Sequence, residues 1–307
     1  MKRFYPELFS GIEWGTERVW KETFGATSRI GLKAAQLQVL SDVDRPEDLA
    51  PLRNDLRFAD CFAGKALLSV IIPTLDEAES LGRVLDCIGG QTRVEIIVAD
   101  VGSRDETRKI AAQAGALVLE VPGGRARQQI VGAAEAKGRL LLFLPADTFP
   151  PQNYADLIRE ALDDPSRVAG AFRFRTDGPG AVIRFIEGAA NLRSALLHLP
   201  YGDQGLFMEK RVFDEMGGFA SMPIMEDFDL VLGLRRRGTV VTLRESAVTS
   251  ARRWQRFGVA RTTFINMIMV VGFGLGVPAE RLSRFYRARE VTTKKNRPGF
   301  PAKRHVS

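Results

Sequence analysis

The chain has 307 residues, enough for one large core or two small ones, and its 45% hydrophobic and 26% charged content is that of a globular protein. Two cysteines, Cys61 and Cys87, form no disulfide framework or metal-ligand spacing, and two distant histidines, His198 and His305, argue against histidine-based hydrolysis or a histidine-ligated zinc, so acid–base work falls to carboxylates. A formal charge of +7 favours anionic partners such as nucleotide diphosphates or acidic lipid surfaces, and the cysteine usage fits reduced thiols of a cytoplasmic protein.

Residues 1–64 hold a helical stretch, one short apolar run over 34–40 and SDVDRPEDLAPL, where Asp44 suits a helix cap and Pro46 the first turn. One strand is little for an independent core. MKRFYPELF leads into polar residues and not into the apolar centre of a signal peptide. From Leu67 the pattern becomes strand–helix alternation. LLSVIIP, VEIIVAD, ALVLEVP and RLLLFLPAD read as four apolar strands. Between them DEAESLGRVLDCI sets Leu81, Val84, Leu85 and Ile88 on one helical face, while GSRDETRKIAAQA and GRARQQIVGAAEAKG supply two more helices. Such βα units predict a mostly parallel α/β sheet covered by helices, with ligands bound beyond the carboxyl ends of its strands. The polar residues at those ends are 74–77, 100–105 and Asp147. Further on, 18 uncharged residues separate Arg261 from Glu280, but they include Asn266, three glycines and Pro278. A spanning helix needs about 20 mostly apolar residues, so this stretch reads as a buried or surface-lying helix. Residues 289–307 read as a basic, solvated tail.

Taken together, SVIIPTLDEAESL, IIVADVGSRDET, LLFLPADTFPP, YGDQGLFMEKRVFDEMGGF and MEDFDLVLGLRRRG resemble, in order, the motifs of inverting family 2 glycosyltransferases of GT-A fold, a Rossmann-like fold. GGRARQQIVGA, the single-Asp PADT and TSARRWQRFG are similar to the subgroup called radical-SAM/selenodomain-associated transferase 2, often labelled an arsenosugar-biosynthesis glycosyltransferase. LFSGIEWGTERVW and SDVDRPEDL resemble the C-terminal end of the companion transferase 1 domain, which makes residues 1–64 a non-catalytic remnant, residues 65–288 the transferase domain, or else 1–64 an unrelated helical extension.

The resemblance implies a nucleotide-sugar donor, with UDP expected. Thr74 and Glu77 would contact its base and ribose. Asp100 can accept from the uracil imide or ribose hydroxyls, or simply cap a helix, as Asp76 does. Arg125 and Gln128 open a helix after Gly123-Gly124, where free N–H groups can bind phosphate. Asp147 is the expected ligand of a divalent Mg²⁺ or Mn²⁺, although Pro145 replaces the first acidic residue of the family's motif and an ordinary turn is the alternative. Asp227 is the expected general base, its alternative being a stabilising acid in a helix's first turn. Asp203 and Gln204 would contact sugar or acceptor. Arg253 and Trp254, after Arg252 and a short strand, would close over the diphosphate, or form a surface arginine cluster with a packed tryptophan. The acceptor is read as a small molecule or a lipid, with peripheral contact to the inner face of a membrane. A nucleotidyltransferase would need a glycine-rich loop where PTLDEAES stands, and no nucleic-acid module is present.

Overall fold

The computed structural model describes residues 18–31, 66–252, 254 and 258–286. The chain divides into two compact units, Met1–Phe62 and Ala63–Ser307. One helix of the first unit is described, α1 (Val19–Arg29). The apolar run at 34–40, Asp44, Pro46 and the tail 289–307 lie outside the described residues.

In the second unit β1 (Leu68–Thr74), β2 (Val94–Asp100), β3 (Leu117–Glu120) and β4 (Leu140–Phe143) run parallel in the order 3-2-1-4. They alternate with α2 (Ala78–Ile88), α3 (Thr107–Gln113) and α4 (Arg125–Glu135). After these come β5 (Thr148–Phe149), α5 (Tyr154–Leu162), β6 (Arg167–Thr176), α6 (Ala181–Leu197) and a 3₁₀ turn, Gly202–Gln204. The rest is β7 (Leu206–Glu209), α7 (Lys210–Glu215), α8 (Glu226–Leu234), β8 (Thr239–Thr249) and α9 (Val259–Gly274).

All eight strands form one sheet, 3-2-1-4-7-6-8-5. β7 runs antiparallel to both β4 and β6, β5 runs antiparallel to β8, and β6 pairs with β8 in parallel. Six strands thus share one direction, and the sheet is mostly parallel, as expected.

Period-two alternation along β1 explains why its run is apolar throughout. Leu68, Val70 and Ile72 enter the core formed with α2 and α5, where Leu81, Val84, Leu85 and Ile88 lie as the helical pattern predicts. Ile71 points the opposite way, into the core formed with α4, α7 and α8. Gly132 sets how closely α4 approaches the sheet, because a Cβ there would stand 2.6 Å from Ile71 Cγ2. The stretch after Arg261 forms most of α9, and among the described residues no helix is long and apolar enough to cross a membrane. Two expectations need adjusting. β4 stops at Phe143, so Asp147 stands four residues beyond it, in the turn into β5. The "short" strand before Arg252 is the eleven-residue β8.

Candidate active site

The loops after β1 and β2 are stitched together by side chains. Thr74 Oγ1 donates to Asp100 Oδ2 at 2.9 Å, and Asp100 also accepts from Gly102 N at 3.0 Å, Ser103 N at 2.8 Å and the Ser103 hydroxyl. Burial alone would push the Asp100 carboxyl up, but the bonds from Ser103, Thr74 and Gly102 together hold it below its ordinary value. Asp100 is fully buried, and four donors fill the roughly four acceptor positions of a carboxylate. Gln128 is likewise buried, with Nε2 donating to Thr74 O at 2.8 Å and Ala99 O at 2.6 Å. In this structure the Thr74 hydroxyl, the Asp100 carboxylate and the Gln128 amide nitrogen are engaged by the protein, so the three residues brace the loops where the donor contact was expected. Asp76 is not a helix cap. It takes a left-handed backbone (φ +53°), accepts from Arg104 N at 2.8 Å and donates its own N–H to Ser103 Oγ. The first turn of α2 is served instead by Asp105, whose Oδ2 accepts from Ala78 N at 3.1 Å.

Glu77, by contrast, faces a charged partner. Arg252 Nη2 lies 2.9 Å from Glu77 Oε2 and 3.0 Å from Asp147 Oδ2, so one guanidinium ties the β1–α2 loop to the β4–β5 turn. Burial works against the Arg252 charge, but the bonds to Glu77 and Asp147 outweigh it and raise its pKa. The carboxyl end of β8 holds this arrangement in place. Ser250 N donates to Asp147 O at 3.1 Å, Thr249 Oγ1 donates to Asp203 O at 3.0 Å, and Asp177 Oδ1 accepts from Ala251 N at 2.6 Å. Among the described residues no three His, Cys, Asp or Glu side chains form a metal cage. Two carboxylates converging on one cationic nitrogen nevertheless fit a Mg²⁺ or Mn²⁺ that draws its other ligands from a diphosphate. Trp254 is buried against Phe174, with ring centroids 5.7 Å apart. Arg253 lies outside the described residues.

A second cluster forms where α8 begins. Met225, the residue before α8, has φ +69°, a left-handed conformation that costs a side-chain-bearing residue about 1–3 kcal/mol and is characteristic of functional turns. It turns Glu226 and Asp227 towards the 3₁₀ turn. Asp227 Oδ2 accepts from Gly202 N at 2.7 Å, and its Oδ1 accepts from Phe228 N at 2.8 Å. Glycine at 202 lets the carboxylate approach this closely, since a Cβ would stand 2.6 Å from Asp227 Oδ2. Glu226 is buried 3.8 Å from Arg125 Nε; burial and then the neighbouring Asp227 charge raise its pKa, with Arg125 opposing. Asp227, Glu226, Arg125, Tyr201 and Asp203 line a cavity of about 430 Å³. Gln204 sits beneath this site. Its Oε1 accepts from Tyr201 N and its Nε2 donates to Phe172 O, both at 2.9 Å, so it braces the turn.

The structure thus brings Glu77 and Asp147 together through Arg252, and Asp203 and Asp227 together through the 3₁₀ turn. Sequence reasoning singled out Arg253 where Arg252 makes the bridge, and it missed Arg193, whose guanidinium lies 3.4 Å over the Tyr201 ring. No local signal distinguishes Arg193 from any other helical arginine.

Residues 69–223, just over half of the chain, match glycosyl transferase family 2, and the chain belongs to that family. It is 31% identical over 100 residues to glycosyltransferase AglE of Haloferax volcanii, covering 29% of this chain and 33% of that protein. It is 35% identical over 108 residues to glucosyl-3-phosphoglycerate synthase of Mycolicibacterium smegmatis, covering 30% and 35%. These matches span about a third of the relatives' own length. Among solved structures, S. aureus TarS (residues 1–349) superposes with a TM-score of 0.51 at 13% identity, covering 75% of this chain and 73% of that one. Glucosyl-3-phosphoglycerate synthase from Mycobacterium tuberculosis gives 0.50 at 17%, covering 75% and 85%. A mannosyltransferase from Pyrobaculum calidifontis, in complex with GDP-Man and Mn²⁺, gives 0.50 at 19%, covering 61% and 56%. The fold is that of GT-A glycosyltransferases.

Proposed function

We propose that this enzyme transfers a sugar, with inversion, from a uridine-diphosphate donor to an acceptor hydroxyl, using Asp227 as general base. The observation that carries this reading is the seating of Asp227: its carboxylate is pinned by Gly202 N at 2.7 Å in the wall of a cavity. Asp203 in the same wall is one hydrogen bond from β8, whose end leads to the Arg252 bridge. Donor and acceptor chemistry would therefore meet at the carboxyl end of β8.

In this reaction the acceptor oxygen forms a bond to the anomeric carbon. The bond from that carbon to the diphosphate oxygen breaks, and its electron pair leaves on the nucleotide diphosphate. The acceptor's proton passes to Asp227, a transfer worth roughly 10²–10⁴-fold in rate. A single displacement from the opposite face inverts the centre. Arg252, already committed to two carboxylates, can exchange them for the departing diphosphate and stabilise its charge. When bound, Mg²⁺ or Mn²⁺ would add Lewis-acid charge there, held by Asp147 with Glu77. Glu77 and the backbone of the stitched loops would contact the base and ribose, with Arg125 near the diphosphate or sugar, and Arg253 and Trp254 would close over them.

The same reading makes residues 1–64 non-catalytic, assigns the chain to the radical-SAM/selenodomain-associated transferase 2 subgroup, and locates it in the cytoplasm at the inner face of a membrane. It is tested by calorimetric titration of UDP, GDP and dTDP with and without Mn²⁺. Tightest binding of UDP, weakened in Asp147→Asn, is expected; equal binding of all three nucleotides would remove the uridine assignment.

A further inference from the structure

Helix α6 is apolar on the wrong side. Of its residues only Ile183, Glu187 and Ser194 are buried, and the two polar ones spend their hydrogen bonds inward. Glu187 Oε1 accepts from Thr176 N at 2.7 Å and from Thr176 Oγ1 at 3.0 Å, while Ser194 Oγ lies 2.7 Å from Thr242 Oγ1. Meanwhile Val182, Phe185, Leu192 and Leu196 stand between 60% and 77% exposed. Their spacing of three, seven and four residues keeps them on one helical stripe. The neighbouring α9 repeats the pattern: Phe264, Met267 and Val271 are each more than half exposed at i, i+3 and i+7, and Leu275, just beyond, is 80% exposed. A soluble helix places its apolar stripe against the core, and a contiguous exposed apolar surface on two adjacent helices marks something that covers it.

Between the two stripes runs a groove of about 390 Å³, walled by Phe185, Ile186, Met267 and Val271. At its inner end it shares Tyr201, Asp203, Asn266 and Val270 with the cavity that holds Asp227. The groove is thus continuous with the site. A second copy of the chain seated on it would block that route, whereas a hydrocarbon chain lying in it would bring its own polar end towards Asp227.

Charge points the same way. The one acid of α6, Glu187, is buried and ion-paired with Arg184 at 2.6 Å, and α9 has no acid, so with Arg193 and Arg261 the two helices carry net positive charge and expose no acid. Apolar stripes with basic and no exposed acidic residues complement the interface of an anionic bilayer, where each basic residue near the surface adds attraction. We infer that the α6–α9 face docks on an anionic membrane surface and takes its acceptor from there as a lipid, the hydrocarbon chain lying in the groove and the polar end reaching Asp203 and Asp227. This rests on the transferase reading above and names the substrate class of the same site.

The test uses the full chain and vesicles of phosphatidylglycerol mixed with phosphatidylcholine, some carrying a photoreactive acyl chain. Flotation should show binding that weakens on vesicles of phosphatidylcholine alone. Phe185→Glu and Val271→Glu alter exposed positions, and each should lower partitioning by about tenfold or more. Illumination should label the groove-lining residues of α6 and α9. UDP binding, measured by calorimetry on the same preparations, should not change in either variant. Retained UDP binding without vesicle binding, or labelling confined to other elements, would overturn the lipid inference and leave the transferase reading standing. Sedimentation showing a dimer that both substitutions dissolve, with no vesicle binding, would overturn it in favour of a contact between copies. Loss of UDP binding in the unaltered protein would count against the transferase reading itself.

Discussion

Replacing Gly202 by alanine tests how the general base is held. The added Cβ would stand 2.6 Å from Asp227 Oδ2 and 3.1 Å from Arg125 Nη2. The arginine tip can swing aside at little cost, but the carboxylate must retreat by roughly 0.5–1 Å to reach ordinary contact distance. That movement stretches the 2.7 Å bond from Gly202 N, a charge-assisted bond worth about 1.5–3 kcal/mol. Independently, a misplacement of about 1 Å in a reacting group costs on the order of 10²-fold in rate, or about 2.7 kcal/mol. The two routes agree, so Gly202→Ala should lower kcat between about tenfold and 10²-fold. UDP affinity should stay near that of the unaltered enzyme, because the Arg252 bridge is not touched and the Arg125 tip needs to move only a few tenths of an ångström. Single-turnover sugar transfer, or donor hydrolysis by water, reads the first quantity and calorimetry the second. An unchanged kcat in a folded Gly202→Ala protein would refute the idea that the Gly202–Asp227 contact positions the base.

Three other outcomes follow from the geometry. Arg252→Gln should weaken UDP binding by about tenfold while leaving uridine binding alone, since its charge acts on phosphate; calorimetry with both ligands separates the cases. Asp100→Ala should destabilise the fold by about 3 kcal/mol, because the Ser103, Gly102 and Thr74 donors lose their acceptor in a buried site; the denaturant midpoint reports it. Glu226 has a folded-state pKa raised above its unfolded value, so its contribution to stability is present below about pH 4.5 and is lost as pH rises through the folded pKa. Melting temperature against pH should therefore fall less steeply above that point in Glu226→Gln than in the unaltered chain.

Much of the first half of the fold is legible in the residues themselves. β1 and β4 are buried on both faces and β2 along its second half, so they appear as continuous apolar runs, and α2 carries its core face at helical spacing. What could not be read is whatever depends on distant pairing. β7 enters the sheet antiparallel between β4 and β6, and β8 pairs along most of β6 across more than seventy residues of chain. Neither relation leaves a local pattern. The site divides the same way. Thr74, Asp100 and Gln128 stand out as polar residues at strand ends and a helix start, yet only the folded structure reveals that they serve one another. Asp227 stands out as an acid at a helix start, but its seat depends on Gly202, and the choice between Arg252 and Arg253 turns on contacts with Glu77 and Asp147, more than a hundred residues away.

The central claim is that Asp227 removes the acceptor's proton. Asp227→Asn keeps the shape and removes the charge; its one remaining oxygen can still accept from Gly202 N, while the bond from Phe228 N is given up. Proton removal is needed in the transition state and not for donor binding, so the effect belongs in kcat. The decisive measurement is turnover of this variant beside a UDP titration of the same sample. The account predicts a fall in kcat of roughly 10²-fold or more with UDP affinity unchanged. A variant that turns over at the rate of the unaltered enzyme would contradict it and shift the role to Glu226 or Asp229.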